Sequence, residues 1–141
     1  IEPAVSVSLD GLNLLVTDYT VSYANNINKG TATVTVTGKG NYYGTSIGTF
    51  EITARELEES MVEEIGTFEY TGKAIEPEVV VTFGETILVA GTDYTVSCSN
   101  NINTGTAIAT VTGTGNFAGT VTALSICWAA LLHSPSLWKN L

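Results

Sequence analysis

One stretch of this chain is written twice. Asp18–Gly44 reads DYTVSYANNINKGTATVTVTGKGNYYG and Asp93–Gly119 reads DYTVSCSNNINTGTAIATVTGTGNFAG, so 19 of 27 positions are identical at an offset of 75 residues. The likeness runs back to IEPAVSVSL at Ile1 and IEPEVVVTF at Ile75, with one residue gained before the second Asp. It runs forward to Ile52 in one copy and Ile126 in the other. A repeat of this length is one small folding unit made in duplicate, so both copies must be served by the same fold.

The period within each copy is that of a strand. Residues two apart share a face of a pleated strand. Val5, Val7 and Leu9 match Val79, Val81 and Phe83. Tyr19, Val21 and Tyr23 match Tyr94, Val96 and Cys98, and Ala32, Val34 and Val36 match Ala107, Ala109 and Val111. The intervening positions are mostly Thr and Ser, which predicts antiparallel sheets with one buried and one wet face. Cys98 stands where the first copy has Tyr23 and reads as a buried, inert thiol. Whether it is bonded to Cys127 is left open by the sequence.

NNINKGTA and NNINTGTA lie between alternating runs and read as hairpin connections. Asn25, Asn26, Asn100 and Asn101 tolerate left-handed φ, and Gly30 and Gly105 carry no Cβ strain. Ile27 and Ile102 are expected to tuck back under their loops as apolar plugs. The alternative reading is a binding loop made in duplicate, since loops carry function. A second turn, GKGNYYG or GTGNFAG, holds three glycines at fixed offsets and suits a tight bend with Tyr42 or Phe117 anchored inward.

YTGKAIEPE at Tyr70–Glu78, GTDYTV at Gly91–Val96, NNIN-x-GTA and G-x-GN-[YF]-x-GT together resemble the bacterial immunoglobulin-like tandem repeats of secreted and cell-surface proteins. The resemblance covers nearly all of residues 1–126. It implies an all-β chain of two tandem small immunoglobulin-like β-sandwich modules, extracellular and either secreted or cell-wall associated. It implies a non-catalytic spacer or stalk, with neighbouring immunoglobulin-like modules as partners and no cofactor. The alternative is an adhesin-like module that binds host glycan or protein through its loops. Tyr43 is then the best contact residue, because its counterpart is Ala118 and the fold does not demand it.

The organisation expected is a first repeat over 1–53, an acidic join and lead-in strand over 54–66, a second repeat over 67–126 and a tail over 127–141. The join, TARELEESMVEEI, permits either helix or strand, and the resemblance favours the strand. The first repeat lacks a counterpart of Gly66–Ala74, the expected first strand, and so exposes a sheet edge that invites pairing. Self-association through that edge or through the tail is a further expectation. The tail CWAALLHSPSLWKNL holds both Trp residues and the single His, and it loses the Thr and Gly of the repeats. It reads as non-native sequence, with a native extension as the alternative. Ile1 reads as the first residue of a piece cut from a longer chain.

Composition closes off other chemistry. A formal charge of -9 repels phosphate backbones and anionic membrane surfaces, so neither nucleic acid nor membrane is expected as a partner. One His, at position 133, and two distant Cys do not make a zinc site or a catalytic triad. Three Asp without calcium-loop spacing leave Asp18 and Asp93 as turn acceptors. No catalytic, metal or cofactor-binding residue is assigned.

Overall fold

The computed structural model describes residues 1–128. The chain is all-β and divides into two compact units, Ile1–Ala54 and a second beginning at Arg55. In the first unit, β1 (Ser8–Leu9) and β2 (Leu12–Asn13) form a short hairpin. The strands β3 (Tyr19–Ala24), β4 (Gly30–Gly38) and β5 (Thr45–Ile52) form an antiparallel sheet in that order. Its register pairs Val21 with Val36 and Ala32 with Phe50.

The second unit begins with β6 (Arg55–Glu56), a 3₁₀ turn (Glu59–Met61) and β7 (Thr67–Glu69). The hairpin β8 (Thr82–Phe83) and β9 (Thr86–Ile87) follows. The unit is completed by β10 (Tyr94–Ser99), β11 (Gly105–Gly113), β12 (Phe117–Ala118) and β13 (Thr120–Trp128). Its main sheet runs β10-β11-β13-β7, and β7 lies parallel to β13 with Phe68 opposite Cys127. A second parallel pair joins β6 to β12, with Arg55 opposite Phe117 and Glu56 opposite Ala118.

The duplication is visible at the level of single bonds. Leu14 N donates to Val7 O at 2.8 Å, as Leu88 N does to Val81 O at 2.9 Å. Leu15 N donates to the Asp18 carboxylate at 3.0 Å, and Val89 N to that of Asp93 at 2.9 Å. These carboxylates each close a turn, which a short acceptor side chain does well. The Tyr94 hydroxyl donates to Val79 O at 2.6 Å, and the Tyr19 hydroxyl to Val5 O at 3.3 Å.

Two strand expectations are corrected. Residues 1–7 form no strand; Val5 and Val7 are half-buried and Leu9 is exposed. Tyrosine hydroxyls and Asn side chains hold this stretch where ladder bonds were expected. The lead-in over 54–66 is also not a continuous strand. Two residues of strand give way to the 3₁₀ turn, whose tightening brings Leu57, Met61 and Ile65 inward together. The glutamates of this stretch remain exposed. Four-residue spacing thus serves one face without an α-helix.

The two cores differ in depth. In the second unit Leu57, Met61, Ile65, Val79, Val81, Leu88, Tyr94, Ala109, Val111 and Val121 make one buried cluster, with Phe68 and Phe117 packed against it. In the first unit the buried apolar residues are Tyr19, Ala32 and Ile52. Val121 and Ala123 have Ser46 and Gly48 as counterparts, and β5 has no strand in the place of β7. A T-shaped Tyr23–Phe50 pair, centroids 6.4 Å apart, fills part of the space where the second unit has Cys98 and Ser125.

Hydrogen exchange resolved by peptide is expected to follow this difference. Amides of Glu51–Thr53 should exchange at least about tenfold faster than those of Ile126–Trp128, which pair with β7. Equal protection of the two edges would show that the first sheet finds a cover by another route.

Candidate functional site

The duplicated loop is held by its own amides. Asn25 and Asn100 both have φ 55, and Gly30 and Gly105 have φ 135 and 132. Asn and Gly are the residues that enter this region at least cost. The Asn26 side-chain amide donates to Ile1 O at 3.0 Å, and that of Asn101 to Ile75 O at 3.0 Å. The backbone answers in return, with Ile75 N donating to Asn101 O at 2.9 Å. Each loop therefore clips the start of its own module beside β3 or β10.

This geometry corrects the expected apolar plugs. Ile27 is 83% exposed and Ile102 50% exposed. The half-buried position of the loop goes to Asn26 or Asn101, because the adjacent backbone needs hydrogen-bond partners that an isoleucine cannot give. Isoleucine is turned outward as a consequence. Open hollows of about 510 Å³ and 370 Å³ lie along Asn25–Thr31 and Asn100–Thr106. They are lined by amides, hydroxyls, the outward isoleucine and, in the first unit, Lys29. Such a surface can offer hydrogen bonds and one apolar contact to a ligand; it holds no acid–base pair.

Tyr43 is 98% exposed. It stands on the rim of a groove of about 310 Å³ in the first unit, lined by Val7, Leu14, Tyr19, Val36, Tyr42 and Ser46 among others. Alternation along the strands predicts Val7, Tyr19 and Val36 as core, and only Tyr43 of this group as a contact residue. The structure brings Tyr43 together with this groove and keeps it apart from the Asn25–Thr31 hollow.

In the second unit Cys98 and Cys127 are both free thiols. They line an apolar cavity of about 10 Å³ with Phe68, Ile75 and Pro77, about the room of a single water. Burial, and then the charge of Glu76, push the Cys98 thiol up from its ordinary value, which keeps it protonated and unreactive near neutrality. Among the described residues no group of three or more His, Cys, Asp or Glu is gathered to hold a metal ion. His133 and the tail from Ala129 onward lie outside the described residues.

Tyr94 gives a pH-dependent prediction. It is buried, and its pKa is raised above 10.0 by burial first and by Glu78 second. The fold therefore favours the neutral phenol. That stability is fully present below about pH 10 and is lost as pH rises through the raised folded value. Tyr94→Phe should cost about 1–3 kcal/mol at neutral pH, because Val79 O loses its buried partner. It should also flatten the alkaline fall in urea midpoint for the second unit. A fall of unchanged steepness would assign the titration to another group.

Comparison of the chain with protein families, with curated proteins and with solved structures finds no match in any of the three.

Proposed function

We propose that the chain is a non-catalytic spacer of a bacterial cell-surface or secreted protein, built of two tandem immunoglobulin-like β-sandwich modules. The observation that carries this reading is the duplication of framework bonds. The Asp18 and Asp93 turns, the Asn26 and Asn101 clips and the Tyr19 and Tyr94 tethers recur in both units, and every one of them holds backbone. Selection that keeps the same scaffolding bonds twice in one chain favours length and persistence over a single reacting centre. A Thr-rich wet face and strong net negative charge suit an exposed, soluble segment.

Stretching a tethered chain tests it. A spacer gives discrete unfolding steps for its two units, and the released contour length should match each module. Gradual extension at low force would count against a load-bearing rod.

Exposure of Tyr43, Ile27 and Ile102 supports the second reading, an adhesive module for host glycan or protein. Aromatic faces and outward apolar tips are common contact points at interfaces. Binding on a glycan array that disappears with Tyr43→Ala would favour adhesion over spacing.

A further inference from the structure

We infer that the second unit binds one buried water in the cavity beside Cys98 and Ser125, where it donates to the Pro77 carbonyl in place of a tyrosine hydroxyl. This goes beyond the spacer reading and stands independently of it. The argument is a row of three hydrogen bonds, complete in one unit and broken in the other.

In the first unit the carbonyls of Ile1, Pro3 and Val5 each meet a side-chain donor. The Asn26 amide donates to Ile1 O at 3.0 Å, the Tyr23 hydroxyl to Pro3 O, and the Tyr19 hydroxyl to Val5 O at 3.3 Å. The second unit repeats the outer two bonds. The Asn101 amide donates to Ile75 O at 3.0 Å and the Tyr94 hydroxyl to Val79 O at 2.6 Å. The carbonyl between them is that of Pro77, and Cys98 stands where the first unit has the donor Tyr23. A cysteine side chain ends at Sγ, a whole aromatic ring short of that hydroxyl. Among the described residues no group of the protein donates to Pro77 O.

The apolar cavity of the second unit lies at this break. Pro77, Cys98, Asn101, Ser125 and Cys127 are part of its lining. It exists because small side chains replace the edge-to-face Tyr23–Phe50 pair, with Cys98 for Tyr23, Ser125 for Phe50 and Ala109 for Val34. Its volume of about 10 Å³ gives room for one water and for nothing larger. Ser125 is 8% exposed, and its hydroxyl has no hydrogen-bond partner among the described residues. A carbonyl accepts, a hydroxyl donates and accepts, and a thiol does both weakly. A water between these groups donates to Pro77 O, shares a bond with the Ser125 hydroxyl and has the Cys98 thiol as a third, weaker contact. Two to four such partners separate a hydrated cavity from a dry one. Leaving both the carbonyl and the hydroxyl unmet is the costlier arrangement. The stretch Ile75–Val79 is thus held at its middle by a water, where the first unit uses a side chain.

Oxygen-17 relaxation dispersion of the 141-residue chain tests this, because it reads the oxygen of long-lived waters and hydroxyl exchange does not mimic it. Cys98→Tyr, which restores the first unit's donor, should lower the dispersion by the amplitude of one water. Ser125→Val removes the hydroxyl and fills the space with methyl groups. It should give the same loss, and it does not require the larger ring to be accommodated. A crystal structure of the unsubstituted chain should place a water about 2.5–3.0 Å from both Pro77 O and Ser125 Oγ. Dispersion of undiminished amplitude in either variant, once shown to be folded, overturns the proposal. So does a crystal structure in which the cavity is dry, or in which a protein group donates to Pro77 O.

Discussion

Leu57→Ala is expected to lower the stability of the second unit by about 2–5 kcal/mol and to leave the first unit unchanged. Leu57 is 6% exposed and sits in a cluster drawn entirely from residues 57–121. Truncation removes three carbons and leaves a cavity that β6 cannot easily close. Its neighbour Glu56 is held opposite Ala118, and its own amide is bonded to Ala118 O. The transfer loss and the cavity loss therefore add. A unit of this size shifts its melting midpoint by about 4–8 °C per kcal/mol, so the second unit should melt at least about 8 °C lower. Exchange measured unit by unit separates the outcomes. Acceleration in β10, β11 and β13 without change in β3 and β4 supports the assignment. Equal acceleration in both units would show that Leu57 supports them together.

The second large effect is expected from Gly113→Ala and, in the first unit, from Gly38→Ala. A Cβ at Gly113 would stand 2.6 Å from Ala118 N and 2.8 Å from Ala118 O. At Gly38 the nearest atoms are Tyr43 N at 2.8 Å and Tyr42 C at 2.9 Å. In both cases the obstacle is backbone, which cannot rotate aside. The same turn is fixed on every side: Gly113 N bonds Gly119 O at 2.9 Å, Thr114 N bonds Asp93 O at 2.8 Å and Phe117 N bonds Thr114 O at 3.0 Å. Relief requires opening that turn, and in the second unit this also parts β12 from β6. A loss of about 3 kcal/mol or more is expected from overpacking of this kind. Gly30→Ala is the control. Nothing lies within 4 Å of a Cβ there, so only its φ of 135 opposes the change. Chemical denaturation of the three variants should rank Gly113 and Gly38 well above Gly30. A reversed order would mean that backbone conformation, and not the close approach, is why glycine stands at these bends.

The two glycines also mark how much was legible in the sequence. Their fixed offsets from Asn41 and Asn116 announced a tight bend, and the structure supplies the reason, a turn folded back to contact distance. The hairpins β3–β4 and β10–β11 follow from alternation, with Asp18–Tyr23 and Asp93–Cys98 leading into the Asn-Gly loops. Ile27 and Ile102 point outward although their apolar character alone predicts the reverse. Inside those loops a backbone carbonyl had to be met, and Asn26 and Asn101 took the inner place. The groove beside Tyr43 was equally hidden. Val7, Tyr19 and Val36 carry the pattern of core residues, and in the second unit their counterparts are core.

By itself the amino-acid sequence determined the all-β character, the duplication and the position of the Asn-Gly and Gly-x-Gly-Asn bends. All of these depend on side-chain alternation and local φ, which act over a few residues. Only the tertiary structure decided which faces are covered. Leu57, Met61 and Ile65 meet Val81 and Val111 across long sequence separations, and no local pattern in either segment names the other. One sheet accordingly carries a lid drawn from Arg55–Glu69, whereas in the first unit Val7, Leu14, Val36 and Tyr42 stay half-buried beside the Tyr43 groove.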